Sequence, residues 1–391
     1  MSTFPARAVV DLDAIAGNVA HLATLAPRSE VMAVVKADAY GHGLVPSALA
    51  AQAGGATWLG VAQLAEALTL RAQGVTGRIL TWIYAPGAPL EGALAAGLDL
   101  SVGARWALEE VVAAARASDR TARVHLKVDT GLARGGMFLT EWTQVLAEAM
   151  VAQAEGLIEV VGVWSHLASA EDVTSPVTQA QLEVFTEAVA RAEAAGARLE
   201  VRHLANSAAT LVNPAMHFDL VRPGLAVFGL SPVPGRTPTD LGLTPAMRLE
   251  AEIMLVKDAP AGQGVSYGHT YTTTRDTVLA DIPLGYADGI PRHASGVGPF
   301  QVGGRRLTIA GRVCMDQVVL DLGRGARERA GDVAVLFGPG GDGEPTAQDW
   351  ADAVGTISYE IVTRLGSRVP RVYVGTAGRA AQELAEQERA W

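Results

Sequence analysis

Short apolar, β-branched runs recur through the first 235 residues, at 31–36, 57–61, 78–83, 98–102, 122–128, 158–165, 199–204 and 218–221. Between most of them lie Ala-, Leu- and Glu-rich segments with helical spacing, such as Gln63 to Gln73, Ala104 to Arg116 and Thr178 to Ala194. A shorter strand is expected earlier, over 8–11. It is followed by a helix over 11–26 whose apolar face carries Ile15, Val19, Leu22 and Leu25. Strand-then-helix repetition implies parallel strands joined by right-handed crossovers. Eight such strands predict a closed (β/α)8 TIM-type barrel rather than an open sheet. An open nucleotide-binding sheet would show a Gly-rich loop after its first strand; here that strand ends in Lys36.

The pattern changes after about residue 235. Ser231-Pro232-Val233-Pro234-Gly235 reads as a linker. Longer β-like runs follow at 249–257, 275–284, 305–321 and 331–337, and 346–365 is the one convincingly helical stretch. The expected fold is therefore α/β: a barrel over 1–235, then a mostly antiparallel β domain over 236–391, with the first strand free to join the second domain. Gly378 to Trp391 reads as a short surface helix or a frayed end.

Charge removes several classes of function. Lysines and arginines number 31 against 41 carboxylates, so the net charge is 31 − 41 = −10. That argues against nucleic acid or an anionic membrane surface as the main partner. Cys314 is the single cysteine, so no internal disulfide is possible. The N-terminus has no apolar signal region, and no run of eighteen apolar residues exists. These features predict a cytoplasmic protein that does not span a membrane.

Polar groups interrupt the apolar runs at their C-terminal ends, where a barrel of this type places its active site. They are Lys36, then Lys127-Val128-Asp129-Thr130-Gly131 with Arg134, then Ser165-His166, Asn206-Ser207 and Arg222-Pro223-Gly224. Each alone admits a structural reading. His166 could be a satisfied buried histidine, Asn206 a helix N-cap, and Arg222 half of an ion pair. Five such strand ends on one face are hard to explain as structure. The face holds an amine, two guanidinium groups and hydroxyl or helix-start donors, which suits an anionic ligand with a phosphate and a carbonyl. It lacks the carboxylate or His/Cys cluster of a catalytic metal site. A phosphorylated aldehyde carried as a Schiff base on Lys36 meets these demands.

Ala33-Val34-Val35-Lys36-Ala37-Asp38-Ala39-Tyr40-Gly41-His42-Gly43 resembles the pyridoxal-phosphate attachment motif of alanine racemases. The resemblance continues in order through Lys127 to Arg134, Ser165 to Ala168, His203 to Ser207, Arg222 to Gly224, Val265 to Gly268, Gly285 to Gly289, Gly311 to Asp316 and Tyr359 to Ile361. It covers about residues 5 to 375 and implies the same barrel-plus-β-domain fold.

The resemblance implies pyridoxal 5'-phosphate as cofactor, alanine as substrate and a homodimer with composite active sites. Lys36 is implied to carry the cofactor and to act as one base, and Tyr267 to be the second base, reaching in from the neighbouring subunit. His166 is implied to contact that tyrosine. Arg222 is implied to lie behind His166 and to face the cofactor's ring nitrogen. Tyr40, Asn206, Ser207, Tyr359 and the backbone of Gly224 and Leu225 match cofactor-binding positions, most of them around the phosphate. Arg134 matches the substrate-carboxylate position and Lys127 one that can be carbamylated. Met315, Asp316 and Tyr286 match the residues bounding the substrate pocket and its access corridor. Leu132-Ala133 replaces the family's more usual Met-Gly, and Phe228 stands where a tyrosine is common. The nearest alternatives are racemisation of another small amino acid such as serine, and a non-catalytic carrier of pyridoxal phosphate resembling the barrel alone.

Overall fold

The computed structural model describes residues 5–379. Most of the final segment read as a helix or frayed end, from residue 380 on, lies outside them. Within the described residues the chain divides into two compact units. One comprises residues 15–39, 44–243 and 376–379; the other comprises residues 5–14, 40–43 and 244–375.

The opening strand, β1 (Ala6–Asp11), belongs to the second unit. The first unit holds eight parallel strands: β2 (Glu30–Val34), β3 (Trp58–Gln63), β4 (Arg78–Ile83), β5 (Asp99–Val102), β6 (Ala122–Lys127), β7 (Ile158–Trp164), β8 (Val201–His203) and β9 (Leu220–Val221). Each pairs with the next from β2 to β8, and β9 pairs with β2. Asp219 N–H donates to Arg202 O (3.1 Å) and Arg222 N–H to Ala205 O (2.9 Å), which closes the sheet between β8 and β9. Inside, Met32, Trp58, Leu80, Val201 and Leu220 form one packed layer. Gly60 lies close beside it: a Cβ there would be 2.8 Å from the Met32 sulfur and 3.1 Å from the Trp82 ring.

The second unit is built mainly of antiparallel strands. After β1 come β10 (Met247–Glu252), β11 (Leu255–Ala259), β12 (Gly264–Val265), β13 (Tyr271–Thr272), β14 (Thr277–Ile282), β15 (Pro299–Val302), β16 (Arg305–Thr308), β17 (Val318–Gly323), β18 (Val333–Phe337) and β19 (Arg371–Val374). One sheet has the order β16-β15-β18-β10-β1-β19, a second β11-β14-β17, and β12 pairs with β13. Only the β1–β19 pairing is parallel.

Two expectations change in detail. The run 305–321 is not one strand: residues 309–317 form a loop in which Gly311 adopts φ +88°, and a Cβ there would meet Val265 O at 2.7 Å. That loop carries Cys314, Met315 and Asp316. The stretch 346–365 is two helices, Ala347–Val354 and Ser358–Thr363, because Gly355 (φ 71°) ends the first. Among the described residues no helix is long and apolar enough to cross a membrane.

Candidate active site

β2 stops at Val34, two residues before Lys36, earlier than the apolar run suggests. The chain then makes a left-handed turn: Ala37, Asp38, Ala39 and Tyr40 all have φ between 53° and 55°. Non-glycine residues rarely adopt this conformation consecutively, because it costs about 1–2 kcal/mol per residue. Side chains and backbone hold the turn in place. Glu66 accepts from Ala37 N–H at 2.6 Å, Asp38 accepts from Leu44 N–H at 2.8 Å, and Ala39 N–H donates to Val35 O at 2.9 Å. Strain held this firmly next to one lysine marks a position that is specified rather than tolerated.

Lys36 is half-buried near the Arg134 guanidinium. Burial and then the Arg134 guanidinium push its amine below the ordinary value, with Glu66 opposing. Lys127, the last residue of β6, is lowered to about 8 by burial, by Arg134 and by Arg222, against Asp129. Two indoles lie under these cations. The Lys127 Nζ sits 4.5 Å from the Trp164 ring centre, the Arg222 guanidinium 5.0 Å from the same ring, and the Lys36 Nζ 6.0 Å from Trp82. Cation–π contact partly offsets the cost of burying charge without a carboxylate.

Arg222 follows β9 and is almost wholly buried. Its Nη2 donates to Ser165 O at 2.6 Å and Leu204 O at 3.3 Å, and its Nη1 to His203 Nδ1 at 3.3 Å. Burial lowers its pKa to about 9. His166, just past β7, is driven to about 3 by burial and by Arg222, Arg134, Lys36 and Lys127, so it is a neutral imidazole at any ordinary pH. Asp129 shapes the loop that presents Arg134: its Oδ1 accepts from Gly131 N–H (2.9 Å) and Ala133 N–H (3.1 Å), and Ala133 sits at φ 55°.

Asn206 is the N-cap of the helix Ser207–Val212, accepting from Ala209 N–H at 3.1 Å. Ser207 Oγ accepts from Gly224 N–H at 2.8 Å and Ala226 N–H at 3.3 Å, which draws the turn carrying Gly224 and Leu225 onto the start of that helix. The structure thus brings Lys36, Lys127, Arg134, His166, Asn206, Ser207, Arg222, Gly224 and Leu225 to the C-terminal ends of the barrel strands. Four cations share this end; burial lowers three of them, and like charge adds to the lowering of Lys36 and Lys127. A ligand with phosphate and carboxylate oxygens supplies the opposite charge, and the donor set fits pyridoxal phosphate.

The second unit holds the remaining residues. Tyr40 is buried with its ring centre 6.2 Å from that of Tyr359, and burial, then Tyr359, raises its phenol pKa. The segment after Tyr40 is clamped: Gly41 O accepts from Arg371 at 2.9 Å, and a Cβ at Gly41 would strike Val362 O at 2.2 Å. Tyr267 stands 68% exposed on a short 3-10 turn anchored by Ser266 Oγ, which donates to Arg312 O at 2.7 Å. Met315 is 53% exposed and Tyr286 42%. Their loops are joined by Tyr286 N–H to Cys314 O (3.0 Å) and Ala287 N–H to Met315 O (2.9 Å), and Asp316 pairs with Arg368 at 2.7 Å.

Trp82 and Trp164, and the buried histidines His125 and His203, were not assigned roles by the sequence pattern. His203 opens a matched motif, and the other three are bulky polar-tipped residues within apolar strands, which is the signal that could have singled them out.

A barrel whose strand ends present a depressed lysine within a cluster of cations set over indole rings, joined in one chain to an antiparallel β unit, defines an amine-based barrel enzyme. Residues 10–232 match the family model described as alanine racemase, N-terminal domain, and residues 246–373 the one described as alanine racemase, C-terminal domain. The chain belongs to the alanine racemase family, which is a family of isomerases. It is 71% identical over 373 residues to a protein of Beutenbergia cavernae named alanine racemase, covering 95% of this chain and 99% of that one. Solved structures of alanine racemases from Streptomyces lavendulae (55% identity) and Streptomyces coelicolor A3(2) (56%) superpose with TM-scores of 0.94. Both cover 96% of this chain, and respectively 98% and 99% of theirs. A match to both domain models does not favour a carrier protein, which resembles the barrel alone.

Proposed function

We propose that the chain interconverts L- and D-alanine, with pyridoxal 5'-phosphate held on Lys36 and two bases working from opposite faces of the substrate. The observation that supports this most is the set of Lys36, Lys127, Arg134 and Arg222 at one barrel end, in a member of this family. When bound, the cofactor supplies the electron withdrawal that makes an amino acid's α-proton removable. The depressed pKa of Lys36 keeps a larger share of its amine free to take that proton. One group on a rigid barrel can reach one face only, so a second acid/base is required.

Tyr267 is assigned that second role, supplied by another copy of the chain in a homodimer with composite sites. The exposure of Tyr267, Met315 and Tyr286 supports this reading, because exposed apolar groups on anchored loops suit an interface. Assigned to contact that tyrosine, a neutral His166 would accept its hydrogen bond without adding charge. Arg222 is assigned to the cofactor's ring nitrogen; guanidinium donates and does not give up its proton. The phosphate is assigned to Tyr40, Ser207, Tyr359 and the N–H groups of Gly224 and Leu225, the Gly224 N–H turning to it from Ser207 Oγ, with Asn206 fixing the helix start. Arg134 takes the substrate carboxylate, while Asp316 and Met315 bound the substrate. A lysine with a pKa near 8 is a competent carbamate former, and a carbamate on Lys127 would neutralise the repulsion with Arg134. The product D-alanine, made in the cytoplasm, would serve peptidoglycan synthesis.

The test is L-alanine in deuterated water with the cofactor-loaded protein. Deuterium should enter at Cα as optical rotation falls to zero. Absence of exchange overturns the racemase reading, and exchange without racemisation removes the second base. Tyr267→Phe should slow the two directions unequally; equal, unchanged rates would refute the two-base assignment.

A further inference from the structure

Arg222 carries a buried positive charge, yet among the described residues no carboxylate hydrogen-bonds it. Its Nη1 instead meets His203 Nδ1 at 3.3 Å. His203 Nε2 lies 2.8 Å from His125 Nδ1, and His125 Nε2 lies 3.2 Å from Asp99 Oδ2. All three of these residues are essentially inaccessible to solvent. Asp99 opens β5, His125 lies within β6, His203 ends β8 and Arg222 follows β9. The four side chains therefore form a line through the barrel interior, from the N-terminal ends of the strands to the C-terminal ends.

The direction of every hydrogen bond in that line is fixed by donor chemistry. Guanidinium has no acceptor, so Arg222 must donate and His203 Nδ1 must accept. The proton of a neutral His203 then sits on Nε2, which donates to His125 Nδ1. That nitrogen cannot carry a proton of its own, so His125 is also neutral, and its Nε2–H donates to Asp99. The opposite direction would leave His203 with two accepting nitrogens, which an imidazole does not offer at accessible pH.

We propose that Asp99, His125 and His203 form a one-way relay that delivers the charge of Asp99 to Arg222, making Asp99 and His125 positioning residues for the ligand site. The inference rests on the reading of Arg222 given above. Each bond polarises the next in a low-dielectric interior, so His203 Nδ1 becomes a stronger acceptor and holds the guanidinium in one orientation. The fixed end is Asp99, gripped by Arg78 at 2.9 Å and Arg123 at 3.3 Å, with Glu159 and Glu200 beyond. Packing keeps the line in register. Trp164 stacks on His203 with rings 1° from parallel, and Trp58 meets His125 edge-on. Gly162 leaves the space His125 fills, since a Cβ there would lie 2.3 Å from its Nδ1.

The test uses cofactor-loaded protein labelled with 15N in histidine, read by long-range proton–nitrogen NMR and by kinetics. In the unmodified chain, His203 and His125 should both show a bare Nδ1 and a protonated Nε2. His125→Phe keeps the ring and removes both polar nitrogens. It should shift the His203 Nε2–H signal upfield and lower kcat about tenfold, the worth of one such hydrogen bond, with KM for alanine little changed. Asp99→Asn keeps an acceptor oxygen without the charge, and should lower kcat by a smaller factor in the same sense. A proton found on His203 Nδ1 overturns the relay. So does either variant folding with reduced melting temperature and unaltered kcat, the mark of a purely structural role. A protein that shows the expected protonation pattern but racemises nothing would refute the functional reading and leave the relay intact.

Discussion

At the N-terminal ends of the barrel strands, Arg78 and Arg123 meet Asp99, Glu159 and Glu200 in pairs of 2.6–3.3 Å. At the C-terminal ends, Lys36, Lys127, Arg134 and Arg222 gather; among the described residues Glu66 opposes the charge at Lys36 and Asp129 that at Lys127. The first set is matched and secures the barrel's base. The second is mismatched and desolvated: burial and then Arg134 lower Lys36 and Lys127, and burial lowers Arg222. An excess of one sign survives in a fold when a ligand of the other sign offsets it, so the contrast sets charges satisfied within the barrel apart from charges left for a ligand.

The sharpest break in that contrast is Lys36→Arg. It keeps the positive charge and removes the nucleophilic amine, so racemase activity should fall by about a thousandfold or more while circular dichroism stays unchanged. Glu200→Gln, at the opposite end, should leave turnover near that of the unmodified chain. Filling the mismatched end should also stabilise the protein. Pyridoxal phosphate at a hundred- to thousandfold excess over its Kd should raise unfolding free energy by about 3–4 kcal/mol, measured by denaturant melts with and without cofactor. Arg123→Met tests the matched end: it leaves buried Asp99 one donor short and should cost about 1–3 kcal/mol of stability.

The smallest effect is in pH. His166 is held at about 3 in the fold, against about 6.5 when unfolded. Between those values the unfolded chain binds the extra proton, so stability falls as pH drops below 6.5 and is unaffected by this group above it. The loss from His166 should reach about 1 kcal/mol by pH 5.5, and His166→Gln should remove that part of the acid limb. Lys127 acts at the other extreme, with stability rising as pH climbs from about 8 towards its unfolded value.

Much of the architecture was legible in the sequence because parallel strands buried on both faces leave apolar, β-branched runs that helices interrupt. All eight barrel strands fall on those runs, within a few residues. The strand-end polar residues were legible for the same reason, since they break the runs at one end. Other features leave no periodic trace. Ala37 to Tyr40 reads as an ordinary polar step, and only the backbone shows four consecutive left-handed residues. The loop 309–317 hides inside an apolar stretch, because the glycine that breaks it acts through a close approach to Val265. His125 and Asp99 join Arg222 only across four strands, a proximity that spacing along the chain does not encode.

Lys36, as the residue assigned to hold the cofactor, is the centre of the site. The chain has only three lysines, Lys36, Lys127 and Lys257, so the assignment can be read directly. Borohydride treatment of the loaded protein should convert the lysine–cofactor linkage to a stable secondary amine and abolish activity, and peptide mapping should find the label on Lys36 alone. A label on Lys127 or Lys257, or full activity retained after reduction, would contradict it.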